Sequence, residues 1–453
     1  MVLLPTRSTS LVRRALVLAA VVSLWAPSVL HGQTITLAEA VSTAQRHDRS
    51  IHIAELERDK AQREVGVAET RRLPTFSITA LGSQPLTQLG LTLERGSLGV
   101  YPLDGPIPGQ TTTLQSPLRF GFIGYASVAQ PLTQQYKIGL GIELAKVGVE
   151  ATAEHIRAKR QGVVNEVRRL YYGIAQAESG RTALRATVDF LEQLDRETGQ
   201  QVAQRVALEA DLLNVKVQLL QAEYELLKMD DPIQTQKEQL NRLMGRPIDS
   251  PLEIDVSSIG AGEPVSLTDA YAEALSSRPE IRLARVQQRK TQLERRLASA
   301  ERIPDVSLSL LGLRTVNYSS VFPNSVSSVG LQVNWDVFDW GRKGQEVHTK
   351  QDAEAQAVLE LTDTEARVMS DVAHQYRRIV EARKGVELAQ AFQSFNTEAL
   401  RVARNRYVQR EAVLSEVVKL QSSLAEADHR YTQALMDLAS AQADFERAMG
   451  RDR

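Results

Sequence analysis

Catalysis and metal binding both need polar side chains that converge, and the residues of this chain give little sign of convergence. None of the seven histidines forms a His-Glu-x-x-His pair, and His47 and His52, five apart, fall on different faces of a helix. The chain has no cysteine. That removes disulfides, thiolate metal sites, cysteine nucleophiles and lipid attachment through an N-terminal cysteine. "GLGIEL" (Gly139 to Leu144) lacks the third glycine of a dinucleotide fingerprint and reads as a strand-to-helix joint. "DWGRKG" (Asp339 to Gly344) holds Gly and Lys without phosphate-loop spacing. The residues therefore predict no enzyme, no metal site and no cofactor, and the question becomes what so many charged residues are built to support.

Charge is abundant and balanced, with 54 basic against 55 acidic residues in 453, which argues against a nucleic-acid partner. Residues 1–32 read as a secretory signal. Arg7, Arg13 and Arg14 precede the apolar run "ALVLAAVVSLWAPSVL", which is short for a membrane span, and cleavage is expected after Gly32; a retained N-terminal anchor is the other reading. Removal of three Arg and no acids leaves 51 basic and 55 acidic residues, a net charge of −4. No later stretch approaches the ~18–20 apolar residues of a spanning helix. A β-barrel, whose strands give a weaker signal, stays open.

The chain repeats itself. "TLAEAVSTAQRHDRSI" from Thr36 resembles "SLTDAYAEALSSRPEI" from Ser266, an offset of 230 that also relates Pro74 to Pro304. Further on, Tyr171 matches Tyr376 and "RLMG" (Arg242 to Gly245) matches "RAMG" (Arg447 to Gly450), both at 205. The 25 extra residues of the first copy fall within Gly82 to Leu118, a Gly- and Pro-rich loop. Between these landmarks the chain reads as long helix. A proline-free stretch from about Ile138 to about Val202 would extend roughly 100 Å. Val417, Leu420, Leu424, Ala427, Tyr431, Ala434, Leu438, Ala441, Phe445 and Ala448 keep a 3-4 spacing, and the positions 205 earlier, Leu212 to Leu243, break it only at Gln236. A sustained seven-residue apolar repeat means coiled-coil packing. Pro232 should interrupt the first of these helices, while Asp437 stands at its place in the second.

Each copy also holds two alternating segments joined by a loop, a β-hairpin. Phe76, Ile78, Phe120, Phe122, Val306, Leu308, Val329 and Leu331 take apolar faces; Ser, Thr, Gly, Gln and Asn take the others. Such alternation fits a water-filled membrane barrel, and equally a sheet edge on a soluble core. Four strands cannot close a barrel, and lipid does not tolerate open strand edges, so several chains must pool their hairpins or the hairpins decorate a soluble bundle. Twelve strands from three chains is the smallest common solution. Trp335 and Trp340 suit an interfacial aromatic belt or ordinary packing.

Taken together and in order, these pieces resemble the TolC-type outer-membrane efflux channel family. They are "TLAEAVSTA" and "SLTDAYAEAL", the joints at Pro74 and Pro304, "VAQPL" (Val128 to Leu132), "NWDVFDWGRKG" (Asn334 to Gly344), and "RLMG" with "RAMG". The resemblance covers the whole mature chain. It implies a mainly α fold with a β-barrel portion, built from long coiled-coil helical hairpins and two β-hairpins per chain. The first repeat would span 33–262 with its β-hairpin at 75–133, the second 263–453 with its β-hairpin at 305–338. It also implies a homotrimer in the outer membrane of a Gram-negative-type cell, with a twelve-stranded barrel in membrane lipid and a periplasmic α-helical tunnel. The tunnel would meet a periplasmic adaptor (membrane fusion) protein and an inner-membrane pump of the RND or ABC type, as the exit duct of tripartite efflux or type I secretion. Pro74 and Pro304 would be the helix-to-barrel joints. The family's Arg-Tyr-x-x-Gly turn, which touches the adaptor, falls on Arg406 and Tyr407, with Arg410 where glycine is expected; in the first copy Arg205 takes the glycine position. The family's acidic pore constriction falls on Glu416, whose repeat mate is Asp211, although both acids also suit ordinary solvated helix positions. The alternative is a soluble periplasmic coiled-coil scaffold or adaptor.

Overall fold

The computed structural model describes residues 33–84, 86–88, 90–115, 118–255, 265–317, 324–409 and 411–451. The segment read as a signal, 1–32, lies outside the described residues, as does Arg410. In chain order the helices are α1 (Leu37–His47), α2 (Arg49–Thr70), α3 (Gln134–Ala203), α4 (Glu209–Lys228), α5 (Asp230–Leu243), α6 (Leu267–Ser277), α7 (Pro279–Ala300), α8 (Arg342–Val408) and α9 (Leu414–Ala448). At 1.5 Å per residue α3 and α8, of 70 and 67 residues, each run about 100 Å. The strands are β1 (Gln33–Ile35), β2 (Thr75–Ser83), β3 (Gly90–Leu93), β4 (Val100–Tyr101), β5 (Gly105–Pro106), β6 (Thr112–Gln115), β7 (Gly121–Pro131), β8 (Leu252–Ile254), β9 (Asp305–Val316) and β10 (Ser325–Asn334). Gly139 and Gly141 of "GLGIEL" sit just inside α3, a few residues past its junction with β7.

Helices and strands form one continuous wall. The main sheet is antiparallel in the order β2-β7-β9-β10. Beneath it the helices pack in the matching order α2-α3-α7-α8, and lower still in the order α4-α3-α9-α8. The joints keep the two halves of the wall in line. α2 stops at Thr70, a short turn bonds the Leu73 N–H to the Thr70 carbonyl at 3.0 Å, and Pro74 leads into β2. Pro304 stands in the same way between α7 and β9. A proline lacks the N–H that a continuing helix requires and drives the residue before it to extended backbone, so each helix ends where its strand begins. Thr133, at the β7-α3 turn, donates to the Pro304 carbonyl at 2.6 Å and accepts from the Val306 N–H at 2.8 Å. Gln130 and Gln135 both donate to the Arg72 carbonyl, at 3.0 and 2.9 Å. Largely buried Lys137 bonds Asp305 at 2.7 Å.

Register sets the faces of the sheet. Phe76, Val128, Leu310 and Val329 pair in one row across all four strands, and Leu308 pairs with Leu331. Large apolar side chains stand exposed there, Ile78 at 84%. The opposite face holds Ser77, Ser127 and Ser328 in one row, with Ser77 and Ser127 hydroxyls 2.7 Å apart. The alternation loosens away from the helices. Leu311, Leu313 and Val326 lie on the polar face, and Arg314 lies on the apolar one. The expectation that everything outside the two hairpins is helix needs correction at β1 and β8, which pair in parallel. Within the first hairpin, the segment read as loop also holds short strands: β3 pairs with β6, and β4 with β5. Strands of two to four residues are too short to show a period of two.

Two matching cores sit where the wall thickens. Ala40, Ala44 and Ile51 pack with Val163, Val167, Ile174, Leu240 and Met244; Ala270, Ala274 and Ile281 pack with Val368, Val372, Ile379, Phe445 and Met449. Helix pairs α1/α2 and α6/α7 break there at Asp48 and Arg278. The "RLMG" and "RAMG" glycines explain themselves at these breaks. Gly245 and Gly450 adopt φ +68 and +82, ending α5 and α9 with a left-handed residue. The Arg246 N–H reaches the Asn241 carbonyl at 2.9 Å, and the Arg451 N–H reaches Glu446 at 3.1 Å, the six-residue closure of a Schellman cap. The fully buried side chain of Tyr171 adds a clamp in the first core only. Its hydroxyl donates to the Asp255 carbonyl at 2.6 Å and lies 2.9 Å from the Ile35 carbonyl, holding β1 and β8, while burial pushes the phenol pKa up to about 12. Pro232 acts as expected: the helix is interrupted at Met229, between α4 and α5, whereas α9 runs unbroken through Asp437.

A Cβ on Gly450 would lie 2.9 Å from the Arg278 backbone nitrogen, which cannot move without disturbing the helix break. Gly450→Ala should cost about 2–4 kcal/mol, the left-handed conformation and the overlap acting together. Gly66→Ala, inside α2 with open space around it, should instead stabilise by about 0.5–1 kcal/mol. Denaturant titration of the two variants in detergent checks the opposite signs.

Candidate functional site

The two helical turns farthest from the sheet gather most of the candidate residues. In the first, α3 ends at Ala203 and Gln204 caps it. The Val206 N–H bonds the Gln201 carbonyl at 2.8 Å and the Arg205 N–H bonds Val202 at 2.9 Å, again a Schellman closure. Arg205 is the left-handed residue of that closure, with φ +58, the conformation that glycine adopts freely. The second turn repeats the outer bond at an offset of 205: the Glu411 N–H reaches the Arg406 carbonyl at 2.8 Å. The turns are therefore drawn by the backbone, with arginine at the first left-handed position in place of glycine.

The two candidate acids enter the following helices in different ways. Asp211 turns its carboxylate back to the Leu208 N–H at 3.2 Å and so satisfies one free donor at the start of α4. Glu416 forms an ion pair with Arg406 at 3.7 Å. The structure thus brings Arg406 and Glu416 together across the second turn, and separates Asp211 from them on the first hairpin. Both members of the pair are about half exposed, and an ion pair of that kind contributes only ~0.2–1 kcal/mol. Tyr407 is exposed on the last turn of α8. Pro74 and Pro304 lie at the opposite end of the helical wall, against the sheet.

Sequence reasoning missed the apolar residues here. Val206, Leu208, Val408 and Val413 all stand exposed at the turns. A second apolar stripe, Leu213, Val217, Leu220, Tyr224 and Leu227, runs along α4 beside the buried seam, and Leu388, Phe392, Phe395 and Val402 are exposed on α8. Their 4-3-4-3 spacing on α4 was present in the sequence, one residue out of phase with the inner seam, and a search for a single seam passes over it. Among the described residues, no group of three or more His, Asp or Glu is placed to hold a metal ion, and no helix is long and apolar enough to cross a membrane.

The family model for outer membrane efflux proteins matches residues 40–246 and 270–451, most of the chain. No curated protein is a detectable sequence relative. Among solved structures, a membrane protein from Pseudomonas aeruginosa superposes with a TM-score of 0.73 at 18% identity, over 92% of this chain and 90% of the other. The Campylobacter jejuni CmeC outer membrane channel gives 0.72 at 17%, over 91% and 85%. The Vibrio cholerae outer membrane protein VceC gives 0.68 at 17%, over 92% and 96%. At these identities the likeness is one of fold.

Arg205 makes the first turn testable by itself. Arg205→Gly should leave the Schellman closure intact and stabilise the chain by about 1 kcal/mol, because glycine relieves the left-handed strain. Denaturant titration against the parent chain gives the sign.

Proposed function

The chain belongs to the outer membrane efflux protein family, and from that premise we propose that three copies close into a single exit duct. The family role is passage of substrates out through an outer-membrane barrel continued by a helical tunnel. The observation that carries the trimer is the pair of unpartnered edges. β2 and β10 each have one unpaired side, and backbone N–H and C=O groups left unpaired in lipid cost several kcal/mol each. Four strands of alternating direction let β10 of one copy meet β2 of the next as antiparallel neighbours. Two copies would give eight strands, an interior that side chains fill; three give twelve and room for a lumen.

The helical edges ask for the same closure. Within the chain α9 packs on α3, with Thr187 and Ser422 hydroxyls 3.0 Å apart and His429 at 3.4 Å from Ser179. Shifted by 205 in opposite senses, these pairs become Phe392 with Val217 and Lys384 with Tyr224, on α8 and α4. Those are the two exposed edges of the helical wall, so α8 of one copy and α4 of the next reproduce between chains the packing that α3 and α9 make within one. Each large apolar side chain buried there contributes roughly 1.5–3 kcal/mol.

In this assembly Asp211 and Glu416 supply six carboxylates around the periplasmic end of the tunnel, a ring that favours cations and is held by pairs such as Arg406 with Glu416. Arg205, Arg406 and Tyr407, with the exposed aliphatic residues beside them, form the surface offered to a periplasmic adaptor, which links the duct to an inner-membrane pump of the RND or ABC type. Cargo is selected by that pump.

The chain has no native cysteine, so paired cysteines report cleanly. Val217→Cys with Phe392→Cys should oxidise to disulfide-linked species of two and three chains, while Thr187→Cys with Ser422→Cys should cross-link within one chain and leave its mass unchanged. A parent protein that disperses without detergent as a single chain, with no ladder from the first pair, would sink the trimeric duct and leave a periplasmic scaffold. In planar bilayers, Asp211→Asn with Glu416→Gln should reduce cation preference without lowering trimer yield; unchanged ion selectivity would remove the acidic ring from the mechanism.

A further inference from the structure

The main sheet reverses its polarity partway along the strands. The face that carries Ser77, Ser127 and Ser328 is the one the duct turns to its lumen. Near the helices its rows are polar or small: Ser307 pairs with Gln332, and Thr75, Ala129, Ser309 and Gly330 share the next row. Farther from the helices the same face becomes apolar. Leu311 comes first, then Tyr125, Leu313 and Val326 in one row, then Leu81 with Ile123. Leu81, Tyr125, Leu311 and Val326 stand exposed, Leu81 at 57%. The outer face changes in the opposite sense at this level. Gly124, Arg314 and Ser325 form one row there, and Gly312 pairs with Ser327 in the row beside it. Bulky apolar side chains thus line the inside where an arginine and glycines line the outside. The interior of a water-filled barrel is ordinarily polar, so this reversal calls for an occupant other than water.

We propose that Leu81, Ile123, Tyr125, Leu311, Leu313 and Val326, from each of three copies, form an apolar collar inside the barrel that binds the apolar body of organic molecules in transit. Position and charge identify the occupant. The collar encircles the exit path, so the molecules that meet it are water and cargo. Among the described residues, the inner face of the four main strands carries one charged side chain, Asp305 at its base, and Lys137 pairs with it at 2.7 Å. An uncharged apolar wall offers a hydrated metal ion nothing in exchange for its water. An alkyl or aromatic body is drawn to the same wall, because contact there removes apolar surface from water. From the row of Leu311 to that of Thr315 is four residues, which at ~3.4 Å each and a tilt of ~40° gives a collar about 10 Å high, the scale of a small organic molecule. Tyr125 adds a ring face with a hydroxyl at its edge in the middle row. The collar rests on the duct reading above and adds to it a binding site for one class of cargo.

Single trimers in planar bilayers read the collar directly. Tetraethylammonium and tetrabutylammonium carry the same charge and differ in alkyl length, so the acidic ring acts on both alike. Added on the barrel side, tetrabutylammonium should reduce the current at about tenfold lower concentration, as burial of about two of its added CH₂ groups requires. Leu313→Ser with Val326→Ser should bring the two ions to within about twofold of each other. Each single variant, which disturbs the sheet less, should move the ratio part of the way, and all are checked for trimer mass. Val326→Cys, in a chain with no native cysteine, should react with a cationic methanethiosulfonate, which enters neither lipid nor a packed interface. A conducting trimer whose introduced thiol resists that reagent would place the collar against lipid or beneath the chain's own long loop, and would overturn the site. An alkyl preference absent from the parent, or unchanged in the Ser variants, would overturn it too, with the duct intact. Protein that forms no conducting trimer would overturn the duct itself, and the collar with it.

Discussion

A β-strand in hydrocarbon must have both of its backbone edges paired, and this chain brings only four strands to the task. The outer strands β2 and β10 are left with one free side each, and the helices beneath them, α4 and α8, are left with exposed apolar stripes on the same two flanks. The whole molecule is arranged as a wall one element thick whose order is kept from strands into helices. Such a wall has no closed interior of its own. Its two larger cores lie where α1 and α6 add a local layer, smaller clusters join α3 to α4 and α8 to α9 farther down, and the outer stripes of α4 and α8 stay exposed.

The long repeat made the helical part legible. A seven-residue apolar seam announces a coiled coil whatever the tertiary context, and Val215, Ala222, Leu240, Val417, Ala441 and Phe445 are buried along it. Proline was legible for a different reason, because it acts on its own backbone: Pro232 interrupts a helix, and Pro74 and Pro304 stand where helix gives way to strand. Elements without a period were not legible. β1 and β8 have three residues each, and their pairing depends on the Tyr171 hydroxyl, which no pattern in the segments themselves reveals.

The turns show a middle case. Their positions followed from the repeat, and their departure from the family's glycine was visible at Arg205. That the backbone still makes a Schellman closure with arginine in the left-handed place was not visible, because the closure depends on backbone bonds that arginine also permits at a cost of about 1–2 kcal/mol. The different surroundings of the acids were also hidden. Asp211 is engaged by a backbone donor three residues before it, Glu416 by an arginine ten residues before it, and only the folded turn decides which partner each acid finds.

The two long helices are continuous, whereas their companions are not. α3 and α8 pass through the level of the cores without a break, while α1 gives way to α2 at Asp48, α6 to α7 at Arg278, and α5 and α9 end at Gly245 and Gly450 beside those breaks. Mechanically, each half of the wall is a stiff strut flanked by members that are jointed at one level. Only the struts carry unbroken helix from the far turns up to the sheet, so a load applied at those turns reaches the strands along α3 and α8.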